Sequence, residues 1–305
     1  MALIREFADF LVAAQRQGAA FTATISLGRQ QNYLGCDPRL RTCSSRVVTD
    51  PFIDTFCRQV LAVETLDALD YSGYQGANLV HDLNQPLPPE RQAKYDAVID
   101  GGTLEHVFNF PAALRNAMVL AKPGGALFLC TPANNLFGHG FYQFSADLFY
   151  RVLGPQNGYR LDKMALVESF FPGVERGMRP KRYAVKDPAR IGGRSDMVSR
   201  FPSLLLIHAT RIGAVPDVLR ALQSDYVTTW DQAARTGRPE AGREANTPVL
   251  KRVVRTLLAG IPVRWEHALR SRYEAWRFYH PATHPCFAPA PAAFFAADWI
   301  EHLDG

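Results

Sequence analysis

The chain has 305 residues, of which 47% are hydrophobic and 21% charged, with a net charge of +5. That length allows one large domain or one domain with an extension, and the composition is ordinary for a globular protein. No apolar run approaches the roughly 20 residues of a membrane-spanning helix, and five cysteines, an odd count without paired CxxC spacing, argue against a disulfide scaffold or a zinc site.

Residues 1–19 place Leu3, Ile4, Phe7, Phe10, Leu11 and Ala14 at helical spacing, while Arg5 and Asp9 interrupt any signal-like core. This segment is expected to be a docking helix, and the protein to be cytoplasmic. A β-branched run at 20–27 predicts the first strand, and the polar, turn-rich stretch 28–49 an irregular loop. Asp50-Pro51 has the form of a cap followed by proline at the first helical position, which predicts a helix over 51–63. Strands two, three and four are expected at 64–70, 78–82 and 95–100. Strand four runs into Asp100-Gly101-Gly102, followed by a helix over 110–120, a Lys122-Pro123-Gly124-Gly125 stop and a fifth strand over 126–130. Strand, glycine turn, helix, stop and strand make one βαβ unit.

Ser145 is placed to cap a short helix over 145–153, strand six is expected at 159–169, and strand seven at 202–211. The stretch 172–200 is basic, rich in Gly and Pro, and has the pattern of an excursion. Helical stretches near 215–222, 249–258 and 265–279 precede a proline-rich tail at 280–294. Residues 178–280 hold 19 Lys/Arg and 9 Asp/Glu, a net of +10 that leaves −5 for the rest of the chain. No nucleic-acid module accompanies this basic segment, so a solvated surface is expected and no nucleic-acid partner. The expected architecture is α/β, with a doubly wound, mostly parallel seven-stranded sheet over 1–212 and a helical extension over 213–305. The extension is expected to cover the sheet or to build a homodimer contact.

Tyr95, Asp96, Val98, Leu104, Glu105, His106 and Val107 follow the pattern YDxVxxxxxLEHV, and Lys122, Pro123, Gly124 and Gly125 follow LKPGG with Ala121 for the leucine. In these two motifs the chain resembles the class I S-adenosylmethionine-dependent methyltransferases. The resemblance implies a Rossmann-like methyltransferase fold, S-adenosylmethionine as cofactor, and methyl transfer to the oxygen or nitrogen of a small, biosynthetic or sugar-type molecule. It implies that Asp70, with its neighbour Tyr71, meets the ribose hydroxyls, that Asp82 and Leu83 meet the adenine, and that Asp100, Gly101 and Gly102 lie against the methionine portion. The family's glycine-rich first loop is reduced here to Gly28, with Arg29 and Gln30 beside it as substitutes for the missing contacts. On the acceptor side, His139 between Gly138 and Gly140 is the first choice of general base and His106 the second, with Phe141, Tyr142 and Phe144 as aromatic walls.

Two other functions compete. A non-catalytic, methyltransferase-like scaffold would account for the reduced first loop. A nicotinamide-dependent oxidoreductase would carry GxGxxG at 26–33, which is absent.

Overall fold

A computed structural model describes residues 2–168 apart from 38 and 41, then 181–191, 194–195 and 201–236. Beyond these it describes 268–269, 271–273, 276, 285–296 and 298–303. In chain order the elements are β1 (Ala2–Leu3), α1 (Arg5–Arg16), β2 (Ala23–Leu27), β3 (Gln31–Asn32), α2 (Arg46–Thr49), α3 (Asp54–Gln59), β4 (Thr65–Asp70), β5 (Leu79–Val80), β6 (Tyr95–Asp100), α4 (Phe110–Leu120), β7 (Ala121–Asn134), α5 (Ala146–Val152), β8 (Tyr159–Glu168), β9 (Arg182–Val185), β10 (Ser203–Arg211), α6 (Ser224–Thr236) and β11 (Phe287–Pro289). Among the described residues one sheet has nine strands in the order β11-β9-β8-β10-β7-β6-β2-β4-β5, and β1 pairs with β3 in a separate two-stranded sheet. The five strands from β7 to β5 are mutually parallel. β10 is antiparallel to both β7 and β8, so β8 points the same way as β7. From β2 the chain builds outward to β4 and β5, then returns to the other side of β2 for β6 and β7. The switch point, where an open α/β sheet presents its ligand crevice, therefore lies between β2 and β6.

The seven expected strands are all present, and the sheet is extended by two more. β9 pairs antiparallel with β8, and β11 with β9. β9 falls within the stretch read as an excursion, and β11 within the proline-rich tail. The segment after residue 212 thus returns to the sheet edge rather than forming helices alone. The 215–222 stretch is not helical. Its backbone is held by side chains instead: Asn157 pairs with both the N–H and the carbonyl of Arg220, and Arg115 donates to Pro216 O and binds Asp217. The 249–258 helix and most of 265–279 lie outside the described residues.

Side chains along the central strands alternate between two buried layers. Val98, Leu127, Leu129, Leu205 and Ile207 face a layer containing α4 and α5. Ala97, Ile99, Phe128, Cys130 and Leu206 face a layer containing α1, α3 and Trp299. The strands read as continuous apolar runs because both faces are covered. α4 spans the residues its pattern predicts, with proline in its first turn. The Lys-Pro-Gly-Gly turn is absorbed into β7 as a bulge, where the register against β6 shifts between Tyr95 and Ala97. Gly124 has φ +81°, and a Cβ on Gly125 would stand 2.9 Å from Tyr95 O, so both glycines are required. The 51–63 helix is shortened to α3. Asn32 N donates to Pro51 O and Ile53 N to Gln30 O, so the backbone after Asp50 pairs with the first loop before it can turn helical. None of the five cysteines is in a disulfide, and Cys57, Cys130 and Cys286 are buried. No helix among the described residues is long and apolar enough to cross a membrane.

α1 is buried from Arg5 to Ala14. Its Asp9, fully buried, accepts from Arg5 Nε at 2.6 Å, Trp299 Nε1 at 3.0 Å and Arg182 Nη2 at 3.2 Å. Burial pushes the neighbouring Glu6 carboxyl above its usual range, with Arg182 opposing. On β10, His208 is stacked on Phe128 at 4.5 Å, 9% exposed, with Nδ1 unpartnered. Burial pulls its imidazole down to about 4, against the partial opposition of Asp162 at 3.8 Å.

Two stability outcomes are expected. Asp9→Ala removes the buried carboxylate that Arg5 and Arg182 share, leaves them only the longer contacts to Asp37 and Glu6, and should cost about 3 kcal/mol in urea or guanidinium unfolding. His208 takes up a proton more readily unfolded (near 6.5) than folded (about 4), so unfolding free energy should fall as pH drops through that window and level off below it. The loss is of the order of 3 kcal/mol, and His208→Phe should abolish this component of the pH profile.

Candidate functional site

β2 ends at Leu27, and Gly28, at φ +73°, turns the chain while its N–H donates to Leu69 O at 2.7 Å. Arg29 N and Tyr71 N both donate to the Asp70 carboxylate, at 3.1 and 2.7 Å. Asp70 is therefore pinned, half-buried, at the end of β4, and the Tyr71 side chain stands 75% exposed beside it. The Arg29 guanidinium turns away to Asp54 at 2.8 Å and lies over Phe52, so only its backbone serves this crevice. Gln30 is 1% exposed. Its Nε2 donates to Ile99 O at 3.0 Å and Leu27 O at 3.4 Å, while its Oε1 is buried without a partner.

At the end of β6 the Asp100 carboxylate accepts from the N–H groups of Gly102, Thr103 and Leu104. Burial, then the nearby Glu105 charge, pushes this carboxyl up to about 7. Asp100 shapes its own turn. A Cβ on Gly101 would lie 2.6 Å from Gln30 Oε1 and 3.0 Å from Ala2 O, and Ala2 N donates to Gly101 O at 2.9 Å. The space against Gly101, expected for a ligand, is thus lined closely by Gln30 and β1. Gly102 sits at φ +109° with Glu105 Oε1 2.8 Å from the position of a Cβ.

Beyond β5, Asp82 accepts from Asn84 N at 2.9 Å and Asn84 Nδ2 at 2.7 Å, which holds its carboxyl below the usual range. Leu83 is buried, and its carbonyl accepts from Asn116. His81 binds Gln85 O, a local structural role.

The acceptor-side residues converge. Glu105 is 1% exposed, and its carbonyl accepts from Phe141 N at 2.8 Å and Tyr142 N at 3.3 Å. This folds the 135–144 loop over the Leu104–His106 turn and sets His139 Nε2 3.6 Å from Glu105 Oε1, with Thr131 Oγ1 3.5 Å from Oε2. The His106 and His139 rings are 5.3 Å apart. Burial keeps His106 below its usual pKa, with Glu105 opposing and the His139 ring adding to the effect. Phe141 is 68% exposed at the rim with Phe108 and Phe137. Tyr142 donates to Phe108 O at 2.6 Å. Phe144 packs in the core against Phe110 and also walls a cavity of about 290 Å³ beside Asn134 and Gln143. Asn134 Nδ2 and Ser203 Oγ are buried there or beside it without partners.

Sequence reading missed Glu105, Thr131, Asn134 and Ser203 as site residues. Only Glu105 carried a signal, as an acid between a glycine turn and a histidine. An S-adenosyl group fits the upper end of this crevice on two observations: a carboxylate held at the end of β4, and an orphaned acceptor at Gln30 Oε1 that suits an ammonium donor.

Residues 31–175 match the family model for a methyltransferase domain. No curated protein matches the chain in sequence. Among solved structures it is similar to the branched-chain polyamine synthase of Thermus thermophilus, at 13% identity and TM-score 0.37, over 70% of this chain and 57% of that one. It is also similar to a SAM-dependent methyltransferase of Thermotoga maritima, at 12% identity and TM-score 0.38, over 68% of this chain and 90% of that one. Residues 31–175, just under half of the 305, thus match a methyltransferase domain, and the strand and turn motifs of residues 95–125 lie inside that stretch.

Proposed function

We propose that this chain methylates an oxygen or nitrogen of a small-molecule acceptor. The observation that carries the reading is the row of groups along the carboxyl ends of β4, β2 and β6, where an open α/β sheet binds its ligands. It has Asp70 and Gly28 at one end and Glu105, His106 and His139 at the other. The two ends are joined through Leu27 O, which accepts from both Gln30 Nε2 and Thr103 Oγ1. Asp70 would take the ribose hydroxyls, Leu83 and Asp82 the adenine edge, and Gln30 Oε1 the methionine ammonium. Bound there, S-adenosylmethionine supplies an electrophilic methyl group. The protein's part is to align donor and acceptor and to keep water from the path, which alone lowers a bimolecular barrier substantially. The exposed rings of Phe108, Phe137 and Phe141 offer walls to an acceptor with an apolar body.

A second reading, a scaffold without turnover, has one observation behind it: Gln30 and Ala2 fill the space against Gly101. Calorimetry with S-adenosylmethionine separates the two. Saturable binding is expected, weakened about tenfold to a hundredfold in Asp70→Ala, the worth of hydrogen bonds to a charged group. No saturable binding would leave the scaffold reading standing. Gln30→Ala is expected to weaken cofactor binding by roughly tenfold, the worth of one hydrogen bond. Tighter binding in that variant would mean that Gln30 blocks the site rather than building it.

A further inference from the structure

We propose that Glu105, His106 and His139 form a binding site for a first-row divalent cation of the zinc class, at the acceptor end of the crevice. The inference rests on the crevice described above for its role but not for its existence. One carboxylate oxygen and one nitrogen from each imidazole all lie within 4.8 Å of one another. Ligand atoms around a tetrahedral zinc stand about 3.4 Å apart, given bond lengths near 2.1 Å, so the set must contract modestly. The movable members can supply that contraction. Glu105 is fixed and 1% exposed, whereas both histidines are exposed and swing about their side-chain torsions.

The anchor also lacks a matching cation. Among the described residues, the ion pairs include none between Glu105 and a lysine or arginine, and its charged neighbour is His139 at 3.6 Å. A buried carboxylate without a full counter-charge is costly, and a divalent ion meets that deficit directly. The backbone is arranged to keep the set together. Gly102 admits Glu105 Oε1 where a side chain would exclude it. A Cβ on Gly140 would lie 2.9 Å from Glu105 O, and Gly138, at φ +81°, turns the loop that presents His139. Thr131 Oγ1, at 3.5 Å from Oε2, braces the carboxylate from behind as an outer-shell group does.

Two imidazoles and one carboxylate suit zinc, cobalt, nickel or ferrous iron rather than magnesium or calcium, which prefer all-oxygen sets. Three protein ligands leave a coordination position open. An oxygen of an acceptor whose body lies on Phe108 and Phe141, exposed rings two residues from His106 and His139 in the chain, would take that position. The cysteine count that argued against a zinc site has no bearing on imidazole ligands.

The test uses the full chain, stripped with a chelator and dialysed. Cobalt(II) is titrated by its visible absorption and zinc(II) by calorimetry. One equivalent of each is expected to bind, with affinity reduced more than about a hundredfold in His106→Ala and in His139→Ala. That exceeds the 10–100-fold expected from losing only a supporting hydrogen bond. Both rings are exposed, so these variants should keep the wild-type melting temperature. Absence of saturable cobalt binding, or binding that persists in the double variant, overturns the proposal. S-adenosylmethionine calorimetry on the same stripped sample is independent. Cofactor binding without metal binding removes this site and leaves the proposed function, while metal binding without cofactor binding does the reverse.

Discussion

The carboxyl ends of β2 and β6 terminate side by side at the switch point, and the backbone groups they leave behind must all be satisfied. Everything about the crevice follows from how that is done. Leu27 O takes the Gln30 amide and the Thr103 hydroxyl, Ile99 O takes Gln30, and Gly101 O takes Ala2 N. The N–H groups of the next turn go to Asp100. In effect the first loop, the turn after β6 and β1 are tied to one another through strand ends. That arrangement replaces the several glycines of a more open loop with one glycine and a buried amide.

The same turn that Asp100 satisfies also aims Glu105 inward. Three N–H donors cannot converge on a carboxylate unless the chain tightens into the Leu104–His106 turn, and that tightening buries the next acid beside the first. Two carboxyl groups in one apolar setting cannot both ionise at little cost, which is why burial and Glu105 together raise Asp100. The acceptor end therefore sets a buried carboxyl group beside imidazoles, the protein's adaptable bases and ligands.

Much of the fold was legible because the signals were local. β6 and α4 begin and end where apolar period, proline and glycine place them, and Ser145 caps α5 as its position suggested. The departures came from distant partners. α3 starts late because residues 51–53 pair with the first loop, and 215–222 stays irregular because Asn157 and Arg115 serve its backbone. β11 has three residues and a proline, a pattern with meaning only at a sheet edge. The site divides the same way. Asp70 and Gly28 could be placed from strand ends alone, whereas the meeting of His106 with His139 depends on a loop 33 residues downstream folding back on Glu105 O, and no spacing rule announces that.

The contacts around α1 impose an order on the making of the protein. Its buried carboxylate is completed by Trp299, its Asp9 carbonyl by Ala296 N, and Arg16 by Asp298. α1 thus waits for partners some 280 residues further along the chain. Closing so long a loop is entropically slow, and until then an apolar helix and one face of the sheet stand open to other chains. Folding of this protein should therefore be most vulnerable to aggregation while α1 stands without Ala296, Asp298 and Trp299.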